Sequence, residues 1–154
     1  MSTSIELTLQ RLPAKQLPMS LLTEADPEPE RVALYHEQGE GFGASVGGEL
    51  VGGAICVQRA AGRYELMNIS VYPKWQKHGV GSRLLAFVIE SLTEQGAGVL
   101  ELGTGTFGYQ LAFYQRQGFR VEAVLKNHFL DNYPEPIFEE GIQHQDMLWL
   151  SMKL

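Results

Sequence analysis

The sequence predicts a single α/β domain, and three observations indicate that class. A strand-like run over 63–71, a helix-like run over 82–95 and a short apolar run over 99–102 follow one another, which is the order of a right-handed crossover unit. Two adjacent glycines, Gly47 and Gly48, join two further strand-like runs as a hairpin turn would. The chain has 154 residues, 44% hydrophobic and 19% charged, which is typical of one soluble globular domain.

The first elements follow from alternation and from proline. Residues 5–12 alternate apolar and polar side chains and stop at Pro13, which predicts a strand with one buried face. Residues 19–38 have a helical pattern that Pro27 and Pro29 interrupt, which predicts two short helices. The second helix is expected to point three side chains inward: Val32, Leu34 and Tyr35.

A hairpin and a third long strand come next. Residues 42–46 and 49–58 form the predicted hairpin, and Gly52-Gly53 in its second arm indicates a bulge or a close backbone approach. The strand over 63–71 ends at Pro73. If no bulge intervenes, one face of this strand carries Glu65, Met67, Ile69 and Val71.

The rest of the chain alternates helix and strand. The helix over 82–95 has apolar residues at helical spacing and Gly96 as its C-cap, and the run over 99–102 is typical of a buried parallel strand. A second helix is predicted over 107–117, a strand over 119–125 and a last strand over 146–154. Between them, residues 126–145 are rich in aromatic and acidic side chains.

The composition excludes several classes of function. The chain carries 12 Lys and Arg against 18 Asp and Glu, a net charge of -6, whereas nucleic-acid and membrane-surface binders need an extended basic face. The single cysteine, Cys56, allows no internal disulfide or zinc cluster, and the four histidines are widely spaced, so no metal is expected. We expect a cytoplasmic protein, because no signal peptide or membrane span is recognisable.

The loop Gln76-Lys77-His78-Gly79-Val80-Gly81 has the features of a pyrophosphate site. Its glycines can take positive φ angles and leave the main chain open to a ligand, and a helix predicted from Ser82 would point unpaired N–H groups at the same place. From 66 to 89 there is no acidic residue, yet Lys74, Lys77 and Arg83 are present. The alternative is an ordinary glycine turn that enters a helix.

Three segments occur in an order that is specific as a set. They are Asn68-Ile69-Ser70-Val71-Tyr72-Pro73, then Gln76 to Gly81, then Phe113-Tyr114-Gln115-Arg116-Gln117-Gly118-Phe119. They resemble a strand, the Q/R-x-x-G-x-G/A pyrophosphate loop and the F/L-Y-x-x-x-G-F helix end of the GNAT superfamily of acyl-CoA-dependent N-acetyltransferases. The resemblance covers roughly residues 1–125 in element order.

The resemblance implies one N-acetyltransferase domain over 1–154. Its sheet would be mixed, mostly antiparallel and splayed between the fourth and fifth strands, with about four flanking helices. Acetyl-CoA would be the acyl donor and a primary amine the acceptor, by direct attack in a ternary complex. A homodimer, which is common in the family, remains open.

Roles are implied residue by residue. The main chain of Ile69, Ser70 and Val71 would pair with pantetheine amides like an added strand. The pyrophosphate would lie against seven residues: Gln76, Lys77, His78, Gly79, Val80, Gly81 and Ser82. Tyr114 would protonate the departing CoA thiolate. Glu65 would accept the amine proton, often through water, with Glu101 on the next strand as its rival.

One position departs from the family pattern. Many members have an asparagine seven residues before the tyrosine, where it binds the pantetheine arm, and this chain has Phe107 there. Thr104, Thr106 or a water is left to replace it. The departure affects the pantetheine contact and leaves the pyrophosphate loop unchanged.

Several residues also have structural interpretations. Tyr114 fits a core aromatic, Glu65 a surface ion pair, and Cys56 a small core residue, although an acyl-cysteine route is an alternative. The acidic loop after 126 is either solvated or an anionic wall for a cationic amine. The members of that wall would be Asp131, Tyr133, Glu135, Glu139 and Glu140.

A small cationic amine is the expected acceptor, because the loop and the whole chain are acidic. A protein N-terminus or lysine is the alternative acceptor. A non-catalytic acyl-CoA-binding regulatory domain and a different nucleotide-binding α/β protein are the other classes. A dinucleotide-binding fold would have its glycine loop after the first strand, whereas here the loop follows several strands.

Overall fold

The computed structural model describes residues 5–154, so residues 1–4 of the predicted domain lie outside the described part. Its strands are β1 (Thr8–Pro13), β2 (Glu40–Val46), β3 (Glu49–Ala60), β4 (Arg63–Val71), β5 (Val99–Gly105), β6 (Arg120–Leu125), β7 (Phe138–Glu139), β8 (Ile142–Gln143) and β9 (Met147–Lys153). Its helices are α1 (Met19–Leu22), α2 (Pro29–His36), α3 (Val80–Glu94), α4 (Tyr109–Arg116) and α5 (His128–Asn132). None of the helices in this part combines the length and apolar content that crossing a bilayer requires.

Seven strands form one mixed sheet in the order β1-β2-β3-β4-β5-β9-β6. The pairs are antiparallel except β4 with β5, which is parallel and joined through α3. The predicted crossover unit and the hairpin across Gly47-Gly48 are therefore confirmed. The last strand, β9, lies between β5 and β6, which leaves β6 at the edge of the sheet.

The sheet opens between β4 and β5. The two strands pair only from Arg63 opposite Val99 to Glu65 opposite Glu101, although β4 continues to Val71 and β5 to Gly105. The splay that the family resemblance implied is thus present. It leaves one edge of the second half of β4 without a strand neighbour.

A bulge in β4 lies at the start of the splay. Ile55 of β3 faces Asn68, but the next residue, Cys56, faces Leu66, so Met67 is an extra residue on β4. As a result Met67 packs with α1 and α2, whereas Ile69 packs with α3. The four side chains predicted to share a face if no bulge intervened therefore divide between two faces. A bulge also bends its strand, which is consistent with β4 leaving β5 here.

Two apolar clusters cover the two faces of the sheet. The larger one contains α3, whose predicted inward residues Leu84, Leu85, Val88 and Leu92 are all fully buried. The smaller one contains α1 and α2. Within α2, Val32 and Tyr35 are buried but Leu34 is 75% exposed, so the prediction for Leu34 was wrong. Residues three apart share a helix face, and Leu34 lies to one side of the face that Val32 and Tyr35 share.

The remaining differences are at element ends and in one segment. The helix expected from Ser82 begins at Val80, and the helix expected from Phe107 begins at Tyr109. The first strand begins at Thr8 rather than at Ile5. The segment over 126–145 holds α5 and the short β7–β8 hairpin, neither of which was predicted.

Candidate active site

Two cavities meet at the splay. The first, which we call the loop groove, has a volume of about 440 Å³ and lies between the end of β4, the glycine loop and α4. The second, the splay cavity, has a volume of about 410 Å³ and lies between β4, β5, the α1–α2 connection and the segment over 126–145. Four residues line both: Ile69, Tyr109, Gln110 and Tyr114. A ligand in one cavity can therefore touch a ligand in the other.

The glycine loop forms an open cradle at the N-terminus of α3. Lys77 and Gly79 have positive φ angles of 65° and 79°, which turn the chain sharply before the helix. The first intrahelical donor is the N–H of Arg83, bonded to the Gly79 carbonyl, so the N–H groups of Val80 to Ser82 have no helical acceptor. These groups and the positive end of the helix dipole favour an anion at this place.

The side chains around the loop leave the groove open. A Cβ atom added at Gly81 would lie 3.6 Å from Cζ of Phe113, an ordinary van der Waals distance, so the start of the helix lies against the groove wall with room for a methyl group. The Gln76 side chain donates a 2.8 Å hydrogen bond to the Val71 carbonyl, which ties the loop to β4. Lys77, Gly79, Val80, Gly81 and Ser82 line the groove together with Gln76, but His78 does not.

The end of β4 offers its main chain to the groove. Ile69, Ser70 and Val71 pair on one side with β3, and on the β5 side they lie beyond the paired residues. Ile69 and Val71 also line the groove, whereas the Ser70 hydroxyl is buried and donates to Asn68 Oδ1 at 2.5 Å. At Ser70, therefore, only the main chain is available to contact a ligand in the groove.

Tyr114 lies where the two cavities join. Its side chain is 7% exposed and has edge contacts with the rings of Phe113 and Phe119, with centroids 5.3 and 5.9 Å away. Burial raises the pKa of its phenol above the ordinary value, so the hydroxyl stays protonated at neutral pH. It is a packed core aromatic, as its helical position predicted, and it also lines both cavities where they join.

The two candidate bases have different surroundings. Glu65 lines the splay cavity, and its Oε1 lies 2.8 Å from Nε of Arg59. Glu101 is 8% exposed, its Oε2 accepts hydrogen bonds from Arg63 and Trp149, and it lines a different groove, on the β5–β9–β6 part of the sheet. Of these two carboxylates only Glu65 faces the space beside Tyr114.

Of the other predicted site residues, some line the splay cavity and others lie outside both cavities. Tyr133 lines the splay cavity, but Asp131 and Glu135 are exposed and line neither cavity. Thr106 is exposed and also lies outside both cavities, whereas Thr104 is buried and lines the splay cavity. Cys56 is fully buried, and burial raises the pKa of its thiol, which argues against an acyl-cysteine route.

Glu139, which was predicted as part of the acidic wall, lines the splay cavity, and the structure adds polar residues to the cavity that the sequence pattern did not predict. Glu139 accepts a 2.9 Å hydrogen bond from His144, whose ring stacks on Phe107 at 4.2 Å. Phe107, at the position of the family's asparagine, thus helps to wall the splay cavity. Asp26 accepts hydrogen bonds from the Glu28 N–H and the Tyr35 hydroxyl, and burial raises its pKa. Glu24, Arg31 and His128 also line the cavity.

Fold and site together define a class of protein. A mixed sheet that splays beside a glycine loop, with a buried tyrosine at the junction of two cavities, is the arrangement that the resemblance implied for an acyl-CoA-dependent acyltransferase. The chain matches the Acetyltransferase (GNAT) family over residues 8–119. It therefore belongs to the GNAT family and is an N-acetyltransferase by that membership.

Similar proteins agree with this assignment. An uncharacterized N-acetyltransferase of Bacillus subtilis (strain 168), YvbK, is 40% identical over 135 residues, which cover 87% of each chain. A GNAT family acetyltransferase from Elizabethkingia anophelis with acetyl-CoA bound has a TM-score of 0.90 at 37% identity and covers 96% of this chain and 98% of its own. An IAA acetyltransferase from Bacillus cereus ATCC 14579 has a TM-score of 0.90 at 35% identity, covering 97% of this chain and all of its own.

Proposed function

We propose that residues 1–154 form one N-acetyltransferase domain that moves an acetyl group from acetyl-CoA to the primary amine of a small acceptor by direct attack in a ternary complex. The observation that carries this proposal is the junction of the loop groove and the splay cavity at Tyr114. A donor in one cavity and an acceptor in the other meet at a buried hydroxyl. Such positioning supplies much of the rate of a transfer reaction.

The loop groove is the proposed site of acetyl-CoA, whose thioester carbon is open to attack by an amine. The N–H groups at the start of α3, with Gln76, Lys77 and Gly79 before them, would hold the pyrophosphate, and His78, which does not line the groove, would lie at its rim. The free edge of β4 from Ile69 to Val71 would bind the pantetheine arm through main-chain hydrogen bonds. Of the two threonines near Phe107, Thr104 has the better position, because Thr106 is exposed outside both cavities.

The protein residues then have to remove two protons from the acceptor nitrogen and supply one proton to the CoA sulfur. An ammonium acceptor cannot attack until it loses a proton, and we propose that Glu65, directly or through water, accepts it. As the new C–N bond forms and the C–S bond breaks, the sulfur takes the Tyr114 proton, the second surplus proton of the nitrogen passes to the Tyr114 phenolate, and Glu65 releases its proton to solvent. Burial keeps the phenol proton on Tyr114 until the thiolate develops.

The acceptor is proposed to be a small amine that is protonated in solution. The splay cavity is lined by the carboxylates of Glu24, Asp26, Glu65 and Glu139, with Tyr133 as an aromatic wall. These carboxylates would attract an ammonium group before its deprotonation. Asp131 and Glu135 are exposed outside the cavity, so they are not needed for this role.

The test compares Tyr114→Phe with Tyr64→Phe. Both tyrosines are 7% exposed, but Tyr64 lies outside the two cavities, where its hydroxyl accepts a 2.7 Å hydrogen bond from Gln95. Calorimetry measures acetyl-CoA affinity, and thiol release with a panel of primary amines measures turnover. We expect Tyr114→Phe to bind acetyl-CoA as the wild type does and to lose about 10²- to 10⁴-fold in kcat, while Tyr64→Phe keeps its kcat.

Two results would contradict parts of the proposal. Wild-type kcat in Tyr114→Phe would remove that residue from the acid role. Tight acetyl-CoA binding by the wild type without thiol release for any amine would refute transfer to small amines.

A further inference from the structure

An arginine in the splay cavity has no carboxylate partner. Arg31, in the first turn of α2, lines the cavity, and no carboxylate of residues 5–154 lies within 4.0 Å of its guanidinium. Arg59 and Arg63, by contrast, are each held by a glutamate at 2.8 and 2.7 Å. The Nε atom of Arg31 is buried without a hydrogen-bond acceptor in the described chain. A guanidinium in this state can accept an anion from outside the protein.

The position of this guanidinium is restrained. Its Cζ atom lies 4.6 Å from the centre of the Tyr133 ring, so the cation rests against the aromatic wall of the cavity. A stacked guanidinium has already lost part of its freedom and can offer two N–H groups to a carboxylate or phosphate. The stacking therefore prepares Arg31 to bind an anionic group with little further ordering.

Three carboxylates that line the cavity have ion-pair or hydrogen-bond partners within the protein. Glu139 is paired with His144, and Glu65 is paired with Arg59. Asp26 interacts with Arg31 at a distance too long for an ion pair, and its main contacts are hydrogen bonds from residues 28 and 35. Among residues 5–154, the carboxylates that line the cavity can attract an ammonium, and Arg31 is a lining cation without an ion-pair partner that can attract an anion.

A second buried polar atom lies near this arginine. His128 also lines the cavity, and its Nε2 atom is buried without a partner in the described residues. Burial, and to a lesser extent the nearby Arg31 cation, lowers the pKa of His128, which favours a neutral ring at neutral pH, whereas the Asp131 carboxylate acts in the opposite direction. His128 therefore adds to the wall beside Arg31 a buried ring nitrogen that has no hydrogen-bond partner among residues 5–154.

We propose that the acceptor is an amine that also carries an anionic group, and that Arg31 binds this group. The inference rests on the proposed function, since it names the substrate class of the same cavity. The shared chemistry is a carboxylate or a phosphate on a short amine. The amine faces Tyr114 and Glu65, and the anion faces Arg31.

The experiment uses matched pairs of amines with and without the anionic group. Tyrosine beside tyramine and β-alanine beside ethylamine test the carboxylate, and phosphoethanolamine beside ethanolamine tests the phosphate. Thiol release gives kcat/KM for each member with the wild type, Arg31→Gln, Arg31→Lys and Arg120→Gln. Arg120 is an exposed arginine of β6 outside both cavities, so its variant is the matched control.

We expect the wild type to favour the anionic member of at least one pair. Arg31→Gln should lower kcat/KM for that member roughly 10- to 100-fold, the usual range for a lost charge-assisted hydrogen bond, and change its partner little. Arg31→Lys should keep part of the preference, and Arg120→Gln all of it. Acetyl-CoA affinity, measured by calorimetry, should be the same in all four proteins and shows that each is folded.

Two outcomes would overturn the inference. If amines are acetylated but the wild type favours the members without an anion, or Arg31→Gln keeps the preference, the inference fails and the proposed function stands. If no amine of any pair releases thiol, both fail.

Discussion

Gly81 offers the sharpest test of the loop groove, because two substitutions at one position should separate folding from ligand binding. A Cβ atom there would meet Phe113 at 3.6 and 3.7 Å and Val71 at 3.8 Å, all ordinary van der Waals distances. Alanine should therefore fit, and it should stabilise the helix by about 0.5–1 kcal/mol relative to glycine. An indole at the same place must extend past Phe113 and Val71, which both line the groove, and fill the space proposed for acetyl-CoA.

The expected size of the effect follows from ligand linkage. At an acetyl-CoA concentration of 100 times Kd, binding stabilises the folded protein by about 2.7 kcal/mol. For a chain of 154 residues this raises Tm by about 5–11 °C. Gly81→Ala should keep most of this shift, and Gly81→Trp should lose it at the same concentration while keeping its circular dichroism spectrum. A full shift in Gly81→Trp would refute the assignment of the groove.

Two further predictions concern the core. The native protein should resist thiol alkylation, because Cys56 is fully buried and burial raises the pKa of its thiol. The thiol should react when denaturant is added, and mass spectrometry measures the labelling. Fast labelling of the native protein would contradict the buried environment. Val32→Ala should lower the free energy of unfolding in urea by roughly 2 kcal/mol, because a fully buried side chain loses two methyl groups. Leu34→Ala should change it by no more than about 0.5 kcal/mol, since that side chain is 75% exposed, and equal losses in the two variants would contradict the observed orientation of α2.

Much of the fold was predictable because its signals are local. The crossover through α3 requires only a strand pattern, a helix pattern and a second strand pattern within about forty residues. The hairpin requires only two strand patterns joined by the glycine pair Gly47-Gly48. The bulge at Met67 was not predictable in the same way, because one extra residue leaves an alternating pattern that continues on the opposite face. The inward orientation predicted for Leu34 was wrong because α2 has only eight residues, and three apolar positions in so short a helix do not define one face.

The sequence by itself determined the proposed donor half of the site. The residues from Gln76 to Ser82 are contiguous, so their glycines and the N-terminus of α3 had to lie together in any fold with that helix. Tyr114 could also be identified as a candidate from the sequence, because the end of its helix carries a recognisable pattern.

Only the tertiary structure decided the proposed acceptor half. Asp26 and Arg31 lie about one hundred residues before Tyr133 and Glu139, and no spacing in the chain relates them. Their meeting depends on the splay of β4 from β5 and on the return of the chain after β6. Residues of the acidic segment that looked equivalent in sequence were separated by burial: Glu139 and Tyr133 line the cavity, and Asp131 and Glu135 face solvent outside it. Side-chain direction and long-range packing, which local patterns do not encode, made that division.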